Sequence, residues 1–228
     1  MKTKNNTIGH GFKMLGRTLK NTIKNPVEAG AEFFEKGSVV DSIVMLAFVF
    51  LVYCGAAIVS GTVLLIKYTT LYNGIYSGPE LVGRYICNFL FPPIYFFLMV
   101  ALLLGVYALV KAIFIKRKMN WRAFLSFIAA PGVALMVASI IYTVHLSILY
   151  MVSLKAVSII CTILFGTVQT LVGLIILLIG YKNVRTVFPD NMQFFLVSAI
   201  AVVLLTIGSY IIAYPLNYID PWFFTIPM

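Results

Sequence analysis

The sequence predicts an all-α integral membrane protein with five transmembrane helices and an N-terminal cytoplasmic amphipathic helix. Of its 228 residues, 61% are hydrophobic and only 11% are charged. Soluble domains carry about 25% charged residues, so this composition indicates a membrane protein. The apolar residues also occur in runs long enough to cross a bilayer, which requires about 20 residues.

One short basic segment determines the predicted orientation. It lies between two long apolar runs and carries four cations, namely Lys116, Arg117, Lys118 and Arg122. Cations next to a membrane span tend to stay in the cytoplasm, where they contact anionic lipids. The preceding helix therefore runs inward and the following helix runs outward. Most other cations lie before residue 40 or at Lys182 and Arg185, which indicates membrane orientation rather than nucleic-acid binding.

Residues 8–24 have the periodicity of an amphipathic helix. Apolar side chains recur on one face, at Ile8, Phe12, Leu15, Leu19 and Ile23. The opposite face carries the basic side chains Lys13, Arg17, Lys20 and Lys24. Such a helix suits the surface of an anionic leaflet, where each cation contributes about 1 kcal/mol. The alternative is a solvated basic tail with accidental periodicity.

A second short helix is predicted to begin after Asn25. Asn25 suits the N-cap and Pro26 the first helical position, while Glu28 can complete a capping box. Gly37 then ends the helix. Residues 1–40 are expected to form a cytoplasmic basic segment that stays attached, because no cleavable signal peptide is recognisable.

Five spans are predicted, at residues 43–66, 89–115, 123–146, 154–181 and 194–214. Asp41 lies at the inner end of the first span and is expected to cap that helix, with a catalytic role as the alternative. Residues 67–88 are expected to form an external loop. The tail, residues 215–228, is aromatic and rich in proline and is expected outside, either lying along the membrane interface or covering the bundle.

Prolines predict irregularities in two of these spans. Pro92 and Pro93 either open or kink the second span, and Pro131 bends the third. The turn between the third and fourth spans is expected within residues 145–154. His145 would then lie at the outer interface, as a hydrogen-bonding residue rather than a proton relay.

One side of the fourth span is lined by small and polar residues, namely Thr162, Gly166, Gln169, Thr170 and Gly173. Lipid supplies no hydrophobic force between helices, so close packing and interhelical hydrogen bonds must hold a bundle together. We therefore expect this side to pack inside the bundle, with Gln169 bonded to a neighbouring helix. The alternative is a polar path for a substrate.

The sequence contains no motif of a metal site, an activated nucleophile or a phosphate-binding loop. Its three cysteines, Cys54, Cys87 and Cys161, are far apart in the chain. Every charged residue is predicted to lie near an interface, which argues against an ion-coupled transporter acting alone. We expect no enzyme activity and no cofactor.

Two segments resemble the Yip family of membrane proteins, named for interaction with Ypt and Rab GTPases, and its bacterial members in particular. Asn25-Pro26-Val27-Glu28, with Phe33-Phe34 after it, is similar to the sequence before the family's first span. Asn120-Trp121-Arg122-Ala123-Phe124-Leu125-Ser126, with Ala130-Pro131 after it, is similar to the start of its third span. The resemblance implies a five-helix plan with the N-terminus inside, over residues 25–214, and a non-enzymatic role in organising membranes or partners. The basic helix at residues 8–24 departs from the family's pattern.

These observations predict a bacterial plasma-membrane protein that acts as a scaffold or partner-binding subunit, with a cytoplasmic N-terminus and an external C-terminus. Its expected partners are anionic lipids of the cytoplasmic leaflet and either another protein or further copies of itself, but not nucleic acid. The alternative is a small transport component, either a permease subunit or an oligomeric pore. A transporter needs a hydrated polar cavity at mid-membrane, whereas a scaffold is packed there.

Overall fold

A computed structural model describes residues 7–71, 78–110, 112, 121–151 and 155–187, together with residues 193, 196, 197, 199–201, 203, 204, 207, 208, 211 and 212. This part of the chain is helical and contains no strand. Its continuous stretches form seven helices, which are α1 (Ile8–Lys24), α2 (Pro26–Lys36), α3 (Val39–Leu71), α4 (Gly78–Val110), α5 (Trp121–Ala129), α6 (Gly132–Met151) and α7 (Lys155–Val187).

Four segments of the described chain are long and apolar enough to cross a membrane, namely Val39–Lys67, Val82–Leu109, Trp121–Leu149 and Ala156–Thr186. The all-α membrane fold predicted from the sequence is confirmed at this level. The predicted fifth span, residues 194–214, is described only at scattered positions, which are helical, so this span stays a prediction. Lys116, Arg117, Lys118 and the tail at residues 215–228 lie wholly outside them.

The loop predicted at residues 67–88 is wrong over most of its length. Helix α3 continues to Leu71 and α4 already begins at Gly78. Pro79 suits the first turn of a helix, because its missing N–H would have no intrahelical partner there. Pro92 and Pro93 therefore lie inside α4 rather than at its start. An abundance of Tyr and Gly indicated a loop, but helix propensity is easily overridden in an apolar environment.

The predicted irregularity at Pro131 is confirmed. Helix α5 ends at Ala129 and α6 begins at Gly132, because Pro131 has no N–H to continue the hydrogen-bond ladder. Gly132 allows close packing at the break, since a Cβ there would lie 2.7 Å from Met45 Cγ. The next turn, between Met151 and Lys155, falls within the predicted range.

The spanning helices alternate in direction. Helix α3 and the α5–α6 unit run the same way, since Ser42 Oγ lies 3.1 Å from Ser126 Oγ and Thr143 Oγ1 donates to Ala56 O at 3.1 Å. Helix α4 runs oppositely, because its early residue Asn88 bonds Ile58 O whereas the later Phe96 packs on Phe50. Helix α7 runs opposite to α6, and Phe165 of α7 stacks on His145 of α6.

Helices α1 and α2 lie at the end of the bundle where α3 and α5 begin and α7 ends, which we call the α1–α2 end. The adjoining part of the bundle is filled by an apolar cluster of buried residues, namely Leu15, Phe33, Met45, Val49, Ala129, Ala130, Val133, Met136 and Ile179. Because α1, α2, α3, α5, α6 and α7 all contribute to the cluster or pack against it, the short helices are integral to the fold.

Away from this end, α3 and α4 meet at a polar contact. The Asn88 carboxamide donates to Ile58 O at 3.1 Å and to Thr62 Oγ1 at 3.3 Å. Its side chain lies directly over Gly61, where a Cβ would lie 2.6 Å from Asn88 Cγ. Gly61 therefore provides the space that this interhelical hydrogen bond requires.

We predict that Gly61→Ala lowers the free energy of unfolding by about 1–3 kcal/mol, the usual cost of overpacking. The added methyl group displaces Asn88 and breaks its bond to Ile58. Thermal denaturation in detergent would measure the effect. Gly55→Ala is the matched control, since nothing lies within 4 Å of its Cβ position. Equal effects of the two substitutions would contradict the assigned role of Gly61.

Candidate functional site

Helix α1 packs on the bundle through a face of small side chains. Gly11, Leu15 and Thr18 are buried. A Cβ at Gly11 would lie 2.7 Å from Val44 Cγ2, so glycine lets α1 approach α3 closely. The Thr18 hydroxyl donates to Met14 O at 2.9 Å and is satisfied within the helix. Helix α1 therefore covers the predicted range and is docked on the bundle.

Four other apolar side chains of α1 are exposed, although the Phe12 ring also packs edge-on against Phe48 of α3. The exposed fractions are 67% for Ile8, 52% for Phe12, 43% for Leu19 and 87% for Ile23. The sequence groups Leu15 with them, but the structure buries Leu15 in the docked face. At 100° per residue, the exposed apolar residues are centred about 80° from the docked residues and about 120° from the basic ones. We call the four exposed residues the apolar stripe.

Asp41 joins α1 to the start of α3. Its Oδ2 accepts the Ser38 backbone N–H at 2.8 Å, and the Asp41 N–H reaches Ser38 Oγ at 3.2 Å, which makes a capping box. The predicted capping role is thus confirmed. Its Oδ1 lies 2.9 Å from Nδ1 of His10, a half-exposed side chain on α1. The sequence does not reveal this second contact, because the two residues are 31 positions apart.

Helix α2 fits closely between its neighbours. The Asn25 side chain accepts the Glu28 N–H at 3.2 Å, which confirms the predicted N-cap. Phe33 is only 1% exposed in the core. Gly30 faces Ile179 of α7 so closely that a Cβ would lie 2.7 Å from its Cγ2. Lys182 Nζ pairs with Glu28 at the same contact between α2 and α7.

Glu32 connects α2 to α1. Its carboxylate lies 2.6 Å from Arg17 Nη2 and 2.9 Å from Lys36 Nζ, and it accepts the Asn21 amide at 3.2 Å. The hydrogen bond from Lys36, together with the charge of Arg17, holds the pKa of Glu32 below its usual value, although partial burial opposes the shift. Part of the charge of Arg17 is therefore balanced by Glu32 within the protein. An exposed pair of this kind contributes at most about 1 kcal/mol.

Arg122 has a structural contact that the sequence did not predict. We predicted contact with lipid, but its Nε donates to Gly37 O at 3.0 Å and its Nη2 to Glu35 O at 2.8 Å. These carbonyls at the end of α2 lack an onward helical partner. The guanidinium, with its planar set of donors, satisfies both. The contact spans more than 80 positions of sequence and has no local signal.

Three of the predicted lipid-contacting cations are exposed and have no ion pair with the described residues. Lys13, Lys20 and Lys24 lie on the outer side of α1. Within the same part of the chain, no three His, Cys, Asp or Glu side chains gather as a metal site would require. This end therefore offers exposed cations, ion pairs and an apolar stripe, which suit contact with lipid headgroups or a protein surface.

Asn183 on α7 is the least satisfied polar group at this end. The residue is 1% exposed, and neither its Nδ2 nor its Oδ1 finds a hydrogen-bond partner among the described residues. It lies one turn beyond Ile179, on the face that packs against α2. A buried amide left in this state costs about 1–3 kcal/mol. Sequence reasoning did not single it out, because it lay in a presumed surface loop.

The side of α7 that we expect to pack inside the bundle meets few of the described residues. No described atom from another part of the chain lies within 4 Å of the Cβ positions of Gly166 and Gly173. Gln169 is half-buried and makes no interhelical hydrogen bond within the described chain. Among the described residues, α7 packs through a neighbouring face that includes Val172 and Ile179. Packing of the side with Gly166 and Gly173 inside the bundle therefore stays a prediction.

The hydroxyl groups on that side are satisfied locally. Thr162 Oγ1 donates to Ser158 O at 2.9 Å, and Thr170 Oγ1 donates to Gly166 O at 2.9 Å. Threonine in a membrane helix commonly bonds the preceding turn in this way. These hydroxyl groups therefore do not by themselves require a partner helix or a polar path.

Comparison of the chain with protein families, with curated proteins and with solved structures found no match. The resemblance to the Yip family consequently depends on the two sequence segments alone. The structure places one of them in α2 and the other in α5, and Arg122 connects the two.

We predict that Asn183→Leu raises the free energy of unfolding by about 1–2 kcal/mol, because leucine has the same branching and removes two unpaired polar atoms. Thermal denaturation would measure the change. Asn88→Leu is the matched control and should destabilise the protein, since Asn88 has two partners. A loss of stability in Asn183→Leu would contradict the prediction and indicate that a polar group occupies this contact.

Proposed function

We propose that this chain is a non-enzymatic integral membrane protein that acts as a scaffold or partner-binding subunit, similar in plan to the Yip family. The supporting observation is the fixed, charged layer formed by α1 and α2 at one end of the bundle. Phe33 anchors α2 in the core and Arg122 holds its end. Glu28 and Glu35 are exposed on α2, so a partner would meet charged groups in a defined position.

The proposed topology has five spans, a cytoplasmic N-terminus and an external C-terminus in a bacterial plasma membrane. Its support is the alternation of the four described spans, which brings α1, α2, Arg122 and Lys182 to the same end. Cations are favoured on the cytoplasmic side. A fifth crossing at residues 194–214 then carries the tail outside.

We predict that a single cysteine at Met228 reacts with a membrane-impermeant thiol reagent in intact cells, whereas one at Asn120 reacts only after permeabilisation. Both are introduced into a chain in which Cys54, Cys87 and Cys161 have been replaced. Labelling is read as a mass shift on a gel. The opposite pattern would reverse the orientation, and protection at both positions in intact cells would remove the fifth span.

A transport component is the second candidate, and one group of residues favours it. Ser60, Asn88 and His145 are buried away from the α1–α2 end. Neither ring nitrogen of His145 has a partner within the described chain. Against this reading, Ser60 and Asn88 are hydrogen-bonded to Ala56 and Ile58, and the half of the bundle next to α2 is filled by apolar side chains.

The two candidates differ in where water and partners reach the protein. For a scaffold, we predict that a photoreactive residue at Glu35 forms a discrete protein adduct in native membranes. We also predict that Gln169→Cys resists impermeant thiol reagents from both sides. A photoreactive residue at Leu177, exposed on the lipid side of α7, is the control and should react with lipid. Labelling of Gln169→Cys from both sides, with no adduct at Glu35, would favour the transport component.

A further inference from the structure

We propose that α1 is an in-plane membrane anchor whose apolar stripe inserts into an anionic phospholipid leaflet while its adjacent face stays docked on α3. This inference deepens the proposed function by naming the lipid class bound at the α1–α2 end. It concerns the apolar stripe, Ile8, Phe12, Leu19 and Ile23, and the exposed cations beside it.

The apolar stripe runs the length of α1. From Ile8 to Ile23 it extends about 22 Å at 1.5 Å per residue. Its two terminal residues are the most exposed, at 67% and 87%. Single exposed apolar residues need no explanation, but four along one helix, interrupted only where Leu15 is buried, mark an interaction surface. A docked helix in water would not keep such a row exposed.

The position of α1 puts this stripe at the depth of the bilayer. The Phe12 ring packs edge-on against Phe48, with centroids 5.8 Å apart. Phe48 lies about 13 Å along α3 from Val39, at 1.5 Å per residue, within a segment that can cross the membrane. One residue earlier on α1, Gly11 lies against Val44, which is about 7.5 Å along α3 from Val39 at 1.5 Å per residue. The stripe therefore continues the lipid-facing surface of the spanning helices.

The charged residues beside the apolar stripe indicate which class of lipid α1 contacts. Lys13, Lys20 and Lys24 are exposed in the sector next to the stripe. Their long stems can lie along the apolar surface while the ammonium groups reach phosphates. Arg17 differs, because it is paired with Glu32, which it shares with Lys36. Three exposed cations in one row favour an anionic leaflet over a neutral one.

The same charges disfavour a second copy of the chain as the occupant. Two stripes packed face to face would bring two lysine rows close together, and like charges repel. The stripe is also the convex outer surface of a single helix rather than a groove, and protein partners that bind helices usually provide or fill a groove. Insertion into a lipid leaflet requires no groove and brings no second row of lysines close to the first.

The first test uses the full-length, cysteine-replaced protein in vesicles of phosphatidylcholine and phosphatidylglycerol. Nitroxide labels are placed singly at Leu19 and Ile23 and, as controls one position away, at Lys20 and Lys24. We expect labels on the stripe to collide several-fold more with oxygen than with a water-soluble nickel chelate, and labels at the lysines to show the reverse. Equal chelate access at Ile23 and Lys24 would overturn insertion, and dipolar broadening between Ile23 labels would assign the stripe to a second copy.

The second test concerns lipid class. Spin-labelled phosphatidylglycerol and phosphatidylcholine are compared for association with the reconstituted protein. Replacing Lys13, Lys20 and Lys24 with Gln should lower the preference for phosphatidylglycerol, by up to about fivefold for each cation that contacts it. Arg17→Gln is the matched control and should lower the preference less. An unchanged preference in the triple variant would overturn the role of these cations. A protein adduct at Glu35 could still form, so failure here is distinguishable from failure of the scaffold function.

Discussion

Helix ends near a membrane must find partners for their backbone polar groups, and this constraint organises the α1–α2 end. Three of the helix termini at this end are bonded by side chains, and an unsatisfied group in an apolar environment costs several kcal/mol. Asn25 caps the start of α2, Asp41 caps the start of α3, and Arg122 bonds the carbonyls at the end of α2. Arg122 belongs to α5 and bonds the end of α2, and Asp41 belongs to α3 and also bonds His10 of α1. The bonds that satisfy the termini therefore also join the helices.

The shared role of Asp41 and Arg122 explains why two short helices stay fixed on the bundle. Asp41 bonds His10 on α1 as well as Ser38, and Arg122 connects α5 to α2. Close contacts at Gly11 and Gly30 then bring α1 and α2 against their neighbours. In this arrangement the surface ion pairs of Glu32 add little free energy. They select the relative position of helices that buried contacts already hold together.

The sequence predicted those features that have local signals. The range of α1 follows from its periodicity, the start of α2 from Asn25 and Pro26, and the break before α6 from Pro131, because each depends on residues a few positions apart. Contacts between distant positions were not predictable in this way. The hydrogen bonds between His10 and Asp41 and between Arg122 and Gly37 form only in the assembled bundle. No residue type near either position indicates its partner.

Helix α7 shows a different limit of sequence reasoning. Small residues can permit close packing, but their presence does not say which side of a helix is used. No described residue of another helix lies within 4 Å of the Cβ positions of Gly166 and Gly173, while Val172 and Ile179 on a neighbouring face are buried. At Ile179 the small residue belongs to the partner helix, because Gly30 of α2 leaves room for the Ile179 side chain. At this contact the packing of α7 therefore depends on a small residue of the partner helix rather than on one of its own.

The division of α1 into three sectors also depends on where small residues permit close contact between helices. An isolated amphipathic helix has only an apolar and a polar side, and that was the prediction from sequence. Docking on the bundle buries Gly11 and Thr18, two residues that contribute little to amphipathicity, and takes only Leu15 fully from the apolar side, so most of that side stays uncovered. Because the protein contact uses residues other than those of the apolar stripe, α1 can bind the bundle and a lipid leaflet at the same time. A helix that used one face for both would have to release the bundle in order to bind the membrane.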